Sequence, residues 1–295
     1  MKSLYAPLRI DFAGGWIDLP EFSEHFPGYV ANLAIKPHVS LSETGIDFSP
    51  YKPRGGVSSS TGAIILESLK LISDHSLNSK VYATPAEFAE SIFRWENSMI
   101  NFKIGRQDQY AIVLGGINCL RFGKDRFHST DFEIENHIFE RNDKINDLEK
   151  SLILVHSGVQ REAQNIVEVV RRNVASKEQK YLTALKDIAD CGTRAVRAIQ
   201  SSDFQSLAGI MSDNWDAQKR FSPEATSPEI DQIYETLLKN GALGGKLCGA
   251  GAGGYFVFYC NDREKVIREA ERLNLQTIIP EFEMRDVLTL NNLNP

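Results

Sequence analysis

Residues suited to handling a phosphoryl group recur along the chain. Gly55-Gly56-Val57-Ser58-Ser59-Ser60-Thr61-Gly62 stands directly before an apolar-periodic stretch. A helix starting there would direct its unpaired amides and the hydroxyls of Ser58, Ser59, Ser60 and Thr61 toward one point, which is an anion cradle. Glycines let the backbone approach phosphate oxygens, and a serine hydroxyl reaches either a phosphate or a Mg2+ ion. A Ser-rich helix cap fits the same residues, and the pattern G-x-x-x-x-G-K-[ST] is absent.

Glu96 and Asp108, twelve residues apart, suit the same chemistry. Phosphoryl transfer asks one carboxylate to hold a metal and another to take or orient a hydroxyl proton. Two solvated surface acids are the plain alternative. Arg9, set between Leu8 and Ile10, can keep a carboxylate ionised or form a structural salt bridge. Asp18, in the turn Gly14-Gly15-Trp16-Ile17-Asp18-Leu19-Pro20, can accept hydrogen bonds from a polyol. Seven of the 21 glycines lie between residues 241 and 254. That density predicts a tight loop pressed against a ligand, with a purely architectural turn as the alternative.

These residues must be positioned by strands and helices in mixed order. Leu8–Phe12, Tyr29–Ile35 and Val39–Leu41 are short apolar or β-branched runs between Gly, Pro and Asp turns and read as strands. Helical periodicity follows over Thr61–Ser73 and Pro85–Met99, with Pro85 suited to a first turn. Residues 123–150 are charged and turn-rich, which places a domain boundary there: residues 1–150 form one domain and 151–295 a second. Leu152–His156 reads as a buried strand, three or four amphipathic helices fill Arg161–Gly241, and Tyr255–Tyr259 reads as a strand. A helix over Arg263–Leu273 and short strands near Gln276–Ile279 and Val287–Leu290 complete an α+β chain.

Composition narrows the function classes. With 295 residues, 42% hydrophobic and 24% charged, the chain has globular proportions. A net charge of −6 repels a phosphate backbone at long range and argues against nucleic acid as partner. No apolar run has the length of a membrane helix, and Met1-Lys2-Ser3-Leu4-Tyr5-Ala6-Pro7 lacks the apolar core of a secretion signal, so a cytoplasmic protein without membrane contact is expected. Cys119, Cys191, Cys248 and Cys260 form no C-x-x-C pair and read as free thiols, and the histidines show no ligand spacing for a transition metal.

Taken in order, Arg9-Ile10-Asp11-Phe12-Ala13-Gly14-Gly15, the loop Pro53–Ala63, Gln107-Asp108-Gln109-Tyr110, Gly115-Gly116-Ile117-Asn118 and Gly241–Gly254 resemble the GHMP kinases. Ser157-Gly158-Val159-Gln160-Arg161 and Trp215 with Lys219 agree with it. Within that superfamily the pattern is similar to the D-glycero-D-manno-heptose 7-phosphate kinases and, less closely, to fucokinases.

The resemblance implies a ribosomal-S5-like N-terminal domain, a ferredoxin-like C-terminal domain and an ATP- and Mg2+-dependent sugar kinase. Asp108 falls at the catalytic base and Arg9 at the cation that polarises it. Gly55, Gly56, Ser58, Ser59, Ser60 and Thr61 fall on the nucleotide loop, and Ser59 and Glu96 on the metal. Asp18 matches the sugar-hydroxyl acceptor, and Gly249, Gly251 and Gly253 close over the reacting end of the substrate. The implied substrate is a small sugar or sugar phosphate, first the anomeric hydroxyl of D-glycero-D-manno-heptose 7-phosphate. An unphosphorylated sugar, as in a fucokinase or galactokinase, and a catalytically silent ligand sensor are the alternatives. Lys36, Lys52, Arg54, Lys103 and Arg106 are candidates to receive a substrate phosphate. Two features depart from the family pattern: Val57 replaces a glycine, with bulk expected to push the loop from the phosphate, and the segment between Ile35 and Pro53 is short.

Overall fold

The computed structural model describes residues 3–52, 55–74, 84–99, 104–127, 129–159 and 163–293. The chain opens with β1 (Leu4–Ala13), turns through the short helix α1 (Pro20–Ser23) and returns as β2 (Gly28–Ser42), antiparallel to β1. β2 unites two runs that read as separate strands. Its ladder with β1 shifts between Ala6 and Leu8, where Pro7 and Pro37 offer no N–H to a partner. β3 (Gly45–Asp47) folds back on the end of β2. Three helices follow, α2 (Ser59–Ser73), α3 (Pro85–Met99) and α4 (Gln107–Leu114), and then β4 (Ile117–Phe122) and β5 (Phe132–Ile138) extend the sheet in the order β1-β2-β4-β5.

The second sheet begins after α5 (Asp143–Ser151), whose N-terminus is closed by the Asn142 side chain accepting from the Ile145 amide. β6 (Leu152–His156) is buried throughout. Four helices come next: α6 (Ala163–Ser176), α7 (Gln179–Gln200), α8 (Ser206–Phe221) and α9 (Pro228–Lys239). In α7, Leu185, Ile188, Ala189, Gly192, Ala195, Val196 and Ile199 are buried at helical spacing, a stripe that faces β2 and α8. Each large apolar side chain so buried stabilises the fold by about 1.5–3 kcal/mol relative to exposure. β7 (Ala242–Leu247), β8 (Tyr255–Cys260), α10 (Arg263–Arg272) and β9 (Thr277–Ile278) complete an antiparallel sheet of order β7-β8-β6-β9.

The end of the chain returns to the first sheet. β10 (Glu281–Phe282) pairs with β2 at Lys36 and Ile35, and α11 (Val287–Asn291) packs on β1, where Asn291 bonds both the amide and the carbonyl of Tyr5. Val287–Leu290 is therefore helical, not the strand its apolar residues suggested. The Asp286 carboxylate accepts from the amides of Leu288 and Thr289, which starts a helix. Residue 150 lies in α5, and the first sheet draws on residues before 139 and after 280. Among the described residues, no helix is long and apolar enough to cross a membrane, and Cys119, Cys191, Cys248 and Cys260 are free and buried.

Candidate active site

Arg9 sits inside β1 and is only 4% exposed. Its amide donates to the Val57 carbonyl, its Nε donates to Asp108 Oδ1 at 2.8 Å, and its NH1 donates to the Gly56 carbonyl at 2.9 Å. One buried guanidinium thus ties the first strand to the serine loop and to the start of α4. Burial opposes its charge, but Asp108 and Asp11 outweigh that and hold it above the usual arginine value. Asp108, in the first turn of α4, keeps 30% of its side chain exposed and can be reached by a substrate.

The neighbours of Asp108 orient two further acids. Gln107 gives its amide and its Nε2 to the Asp18 carboxylate at 3.3 and 3.1 Å. Gln109 Nε2 donates to Glu96 at 2.7 Å, and the Thr61 hydroxyl donates to the same carboxylate at 3.3 Å. Three acids therefore converge, at the expense of the ionisation of Asp18 and Glu96. Burial, and then the charge of Asp108, lift the Asp18 carboxyl to about 7. Burial also raises Glu96, with Asp108 adding to the effect and the Gln109 and Thr61 bonds opposing it.

The serine loop enters α2 through Ser58 in the left-handed region, at φ 63°. No side chain caps α2, so its first amides are left for another partner. The Ser58 hydroxyl is buried without a hydrogen-bond partner. Gly56, at φ 77°, lies so close to the second sheet's glycine loop that an added Cβ would stand 2.3 Å from the Cys248 carbonyl oxygen; one on Gly249 would stand 2.9 Å from the Gly56 Cα. Glycine is required on both sides of that contact. Val57, whose bulk was expected to act on the loop, has its side chain fully buried in the core and lines neither of the two cavities that meet at Arg9 and Asp108.

Two adjoining cavities meet at Arg9 and Asp108. One, of about 250 Å³, is lined by Ser58, Ser59, Ser60, Gly56 and the loop glycines Gly249, Gly251 and Gly253. The other, of about 310 Å³, is lined by Asp18, Glu96, Thr61, Gln107, Gln109 and Trp16. Ser60, Gly249 and Ala250 face both. Gly55 lines neither, since its carbonyl accepts from the Tyr255 amide and its Cα lies against the Tyr255 ring. Ser59 and Glu96 line different cavities, and it is Thr61 that touches Glu96.

The glycine run divides into two parts. Gly244 and Gly245 belong to β7, and an added Cβ on Gly244 would stand 2.0 Å from the Ala208 carbonyl oxygen in α8. Gly249, Gly251, Gly253 and Gly254 form the loop, all at positive φ. Of the candidate phosphate-receiving cations, Lys36 pairs with Glu281, and Arg106 pairs with Glu90 at 3.1 Å while lying 4.1 Å from the centre of the Phe93 ring. Neither they nor Lys52 line the two cavities. Arg54 and Lys103 lie outside the described residues. Sequence reading passed over Gln107, Gln109 and Thr61 as orienting groups, and over Asp11 and Lys246. Only the burial of a charged pair marks the last two.

Comparison with known proteins bears on the fold. The family profile described as GHMP kinases C terminal matches residues 195–276. A D-glycero-alpha-D-manno-heptose 7-phosphate kinase of Campylobacter jejuni is 30% identical over 179 residues, 61% of this chain and 51% of the relative. The chain thus spans about half the length of that curated relative. Among solved structures, a D-glycero-D-manno-heptose 1-phosphate kinase from Bacteroides thetaiotaomicron superposes with TM-score 0.65 at 18% identity, covering 96% of both chains. The galactokinase of Lactococcus lactis gives TM-score 0.67 at 14% identity over 95% of this chain and 93% of its own. The chain therefore has the α+β fold of the GHMP kinases and carries the sequence signature of their C-terminal part.

Proposed function

We propose that the chain is an ATP-dependent sugar kinase, a phosphotransferase that moves the γ-phosphoryl group of ATP to a hydroxyl of a sugar or sugar phosphate. The first substrate we assign is the anomeric hydroxyl of D-glycero-D-manno-heptose 7-phosphate, from the chemistry named for the Campylobacter jejuni relative. The observation that carries the reading is the Arg9–Asp108 pair at the junction of two cavities. On one side lie the uncapped start of α2 and the three hydroxyl-bearing residues Ser58, Ser59 and Ser60, suited to triphosphate oxygens. On the other lies Asp18, an acceptor for sugar hydroxyls.

In this reading Asp108 accepts the proton of the attacking hydroxyl as its oxygen bonds to the γ-phosphorus, while the bond from that phosphorus to the β-phosphate breaks. Arg9 holds Asp108 as a carboxylate and fixes its direction. The α2 amides and loop glycines stabilise the charge spread over the transferred group. A Mg2+ ion fits the donor set: Glu96 with the Thr61 or Ser59 hydroxyl would hold it, an all-oxygen site of the kind that ion takes with one carboxylate plus phosphates. Among the described residues no group of three or more His, Cys, Asp or Glu forms a self-sufficient metal cage. When bound, Mg2+ neutralises phosphate charge.

A second reading, an unphosphorylated sugar as substrate, is favoured by one observation. Among the described residues lining the two cavities, Arg9 is the one basic side chain, and it is already paired with Asp108. ADP release across the heptose 7-phosphate, the free heptose, mannose, fucose, galactose and mevalonate separates the two readings. Turnover of one sugar that falls about 10²–10⁴-fold in Asp108→Asn is the expected result. Turnover unchanged in that variant removes Asp108 from the reaction, and equal turnover of both heptoses selects the second reading.

A further inference from the structure

Behind Arg9 lies a second ion pair that joins the two sheets. Asp11 of β1 and Lys246 of β7 are 2% and 0% exposed, and Lys246 Nζ donates to Asp11 Oδ2. The other oxygen, Asp11 Oδ1, has no hydrogen-bond partner and lies 3.6 Å from Arg9 NH1. Charges alternate along one line, Lys246, Asp11, Arg9, Asp108, of which Lys246 alone lines neither cavity. Arg9 is therefore shared between two carboxylates. The inner one is kept from claiming it by the ammonium group on its far side, and the Gly249 amide, the Cys248 thiol and Gly15 also face Asp11.

Resting on the kinase reading above, we propose that Lys246 is a positioning residue for phosphoryl transfer. By neutralising Asp11 it leaves the Arg9 guanidinium directed at Asp108. Lys246 touches neither cavity, so its effect on catalysis passes through Asp11 and Arg9. Without its charge, a fully buried carboxylate is left uncompensated within reach of Arg9, and a buried ion that loses its partner takes the nearest opposite charge. Arg9 then turns toward Asp11, and Asp108 loses its fixed direction. Because the pair spans 235 residues and links β1 to β7, it also makes the site's geometry depend on the seating of one sheet against the other.

Lys246→Met keeps an unbranched side chain one atom shorter and removes the charge; Asp11→Asn combined with Lys246→Met removes both charges and with them the competition for Arg9. The expected outcome is a kcat lowered about 10- to 100-fold in Lys246→Met with KM for ATP and sugar within about twofold of wild type, as for a misdirected catalytic group. The double variant should recover most of that loss. In protein carrying 15N in its arginine side chains, the Arg9 Nε–H resonance should move in Lys246→Met and return toward its wild-type position in the double variant. An unmoved resonance in the folded single variant, or a double variant as slow as the single one, overturns the proposal. If wild-type protein turns over no sugar in the panel, the kinase reading fails, and the resonance still decides whether Lys246 governs Arg9. Should Lys246→Met not fold, the double variant, free of an uncompensated buried charge, carries the test: a resonance displaced as far as that of Asp108→Asn overturns the proposal, and one near the wild-type position upholds it.

Discussion

Replacing Asp18 by asparagine tests the electrostatics of the site through stability. The Asp18 carboxyl is 7% exposed, and burial together with the nearby Asp108 lifts it from 3.8 to about 7. Across that interval the folded protein holds a proton that the unfolded chain has released. The stabilisation it confers is complete below pH 4 and is lost as pH rises through about 7. About three pH units at 1.36 kcal/mol each correspond to about 4 kcal/mol. Asparagine has no proton to lose, and Gln107 can receive it: rotating the Gln107 amide presents Oε1, which is buried without a partner, to the new Nδ2. Asp18→Asn is therefore expected to gain on wild type by about 2–4 kcal/mol between pH 4.5 and pH 8, read from urea unfolding at both pH values. A wild-type-minus-variant difference that stays the same at both pH values would refute the reasoning. The gain in stability should coincide with a weaker KM for sugar, because the carboxylate kept at this cost is the one assigned to the substrate.

Glu96→Gln should raise the Mg2+ concentration needed for half-maximal turnover about 10- to 100-fold, the scale on which damage around a metal site is felt. An unchanged Mg2+ titration would place the metal elsewhere. Gly244→Ala should destabilise the protein by about 1–3 kcal/mol or more, since its methyl group would enter the Ala208 carbonyl and force α8 from β7. Wild-type unfolding by urea in that variant would contradict the packing described.

Much of this architecture was readable in the chain because its signals are local. Apolar spacing and Pro85 marked α3 at its observed limits, Pro85–Met99, and the serine loop announced α2 within two residues. Gln107-Asp108-Gln109 was visible as a motif, but the task of each glutamine was not, because Asp18 and Glu96 reach them from other elements. Asp11 and Lys246 were hidden for the same reason, as nothing local to either residue indicates a partner 235 positions away. The bulk of Val57 was legible but not its direction, which is into the core and away from both cavities. The glycines of 241–254 look alike in sequence, yet Gly244 is set by a helix lying on its strand, Gly245 by the neighbouring strand β8, and Gly249, Gly251, Gly253 and Gly254 by a loop at positive φ.

The return of residues 281–291 to the first sheet also governs the order in which the protein can be assembled on the ribosome. β2 is synthesised first, and the strand that covers it beside Ile35 and Lys36 emerges long after it. The contacts of His38 with Glu283 and of Tyr5 with Asn291 span 245 and 286 residues. A nascent chain thus carries an incomplete first sheet, with part of β2 unpaired, until residues 281–291 have been made. Arg9 and Asp11 lie on the strand next to β2, so the machinery assigned to catalysis can acquire its final setting only after residues 281–291 have joined the sheet.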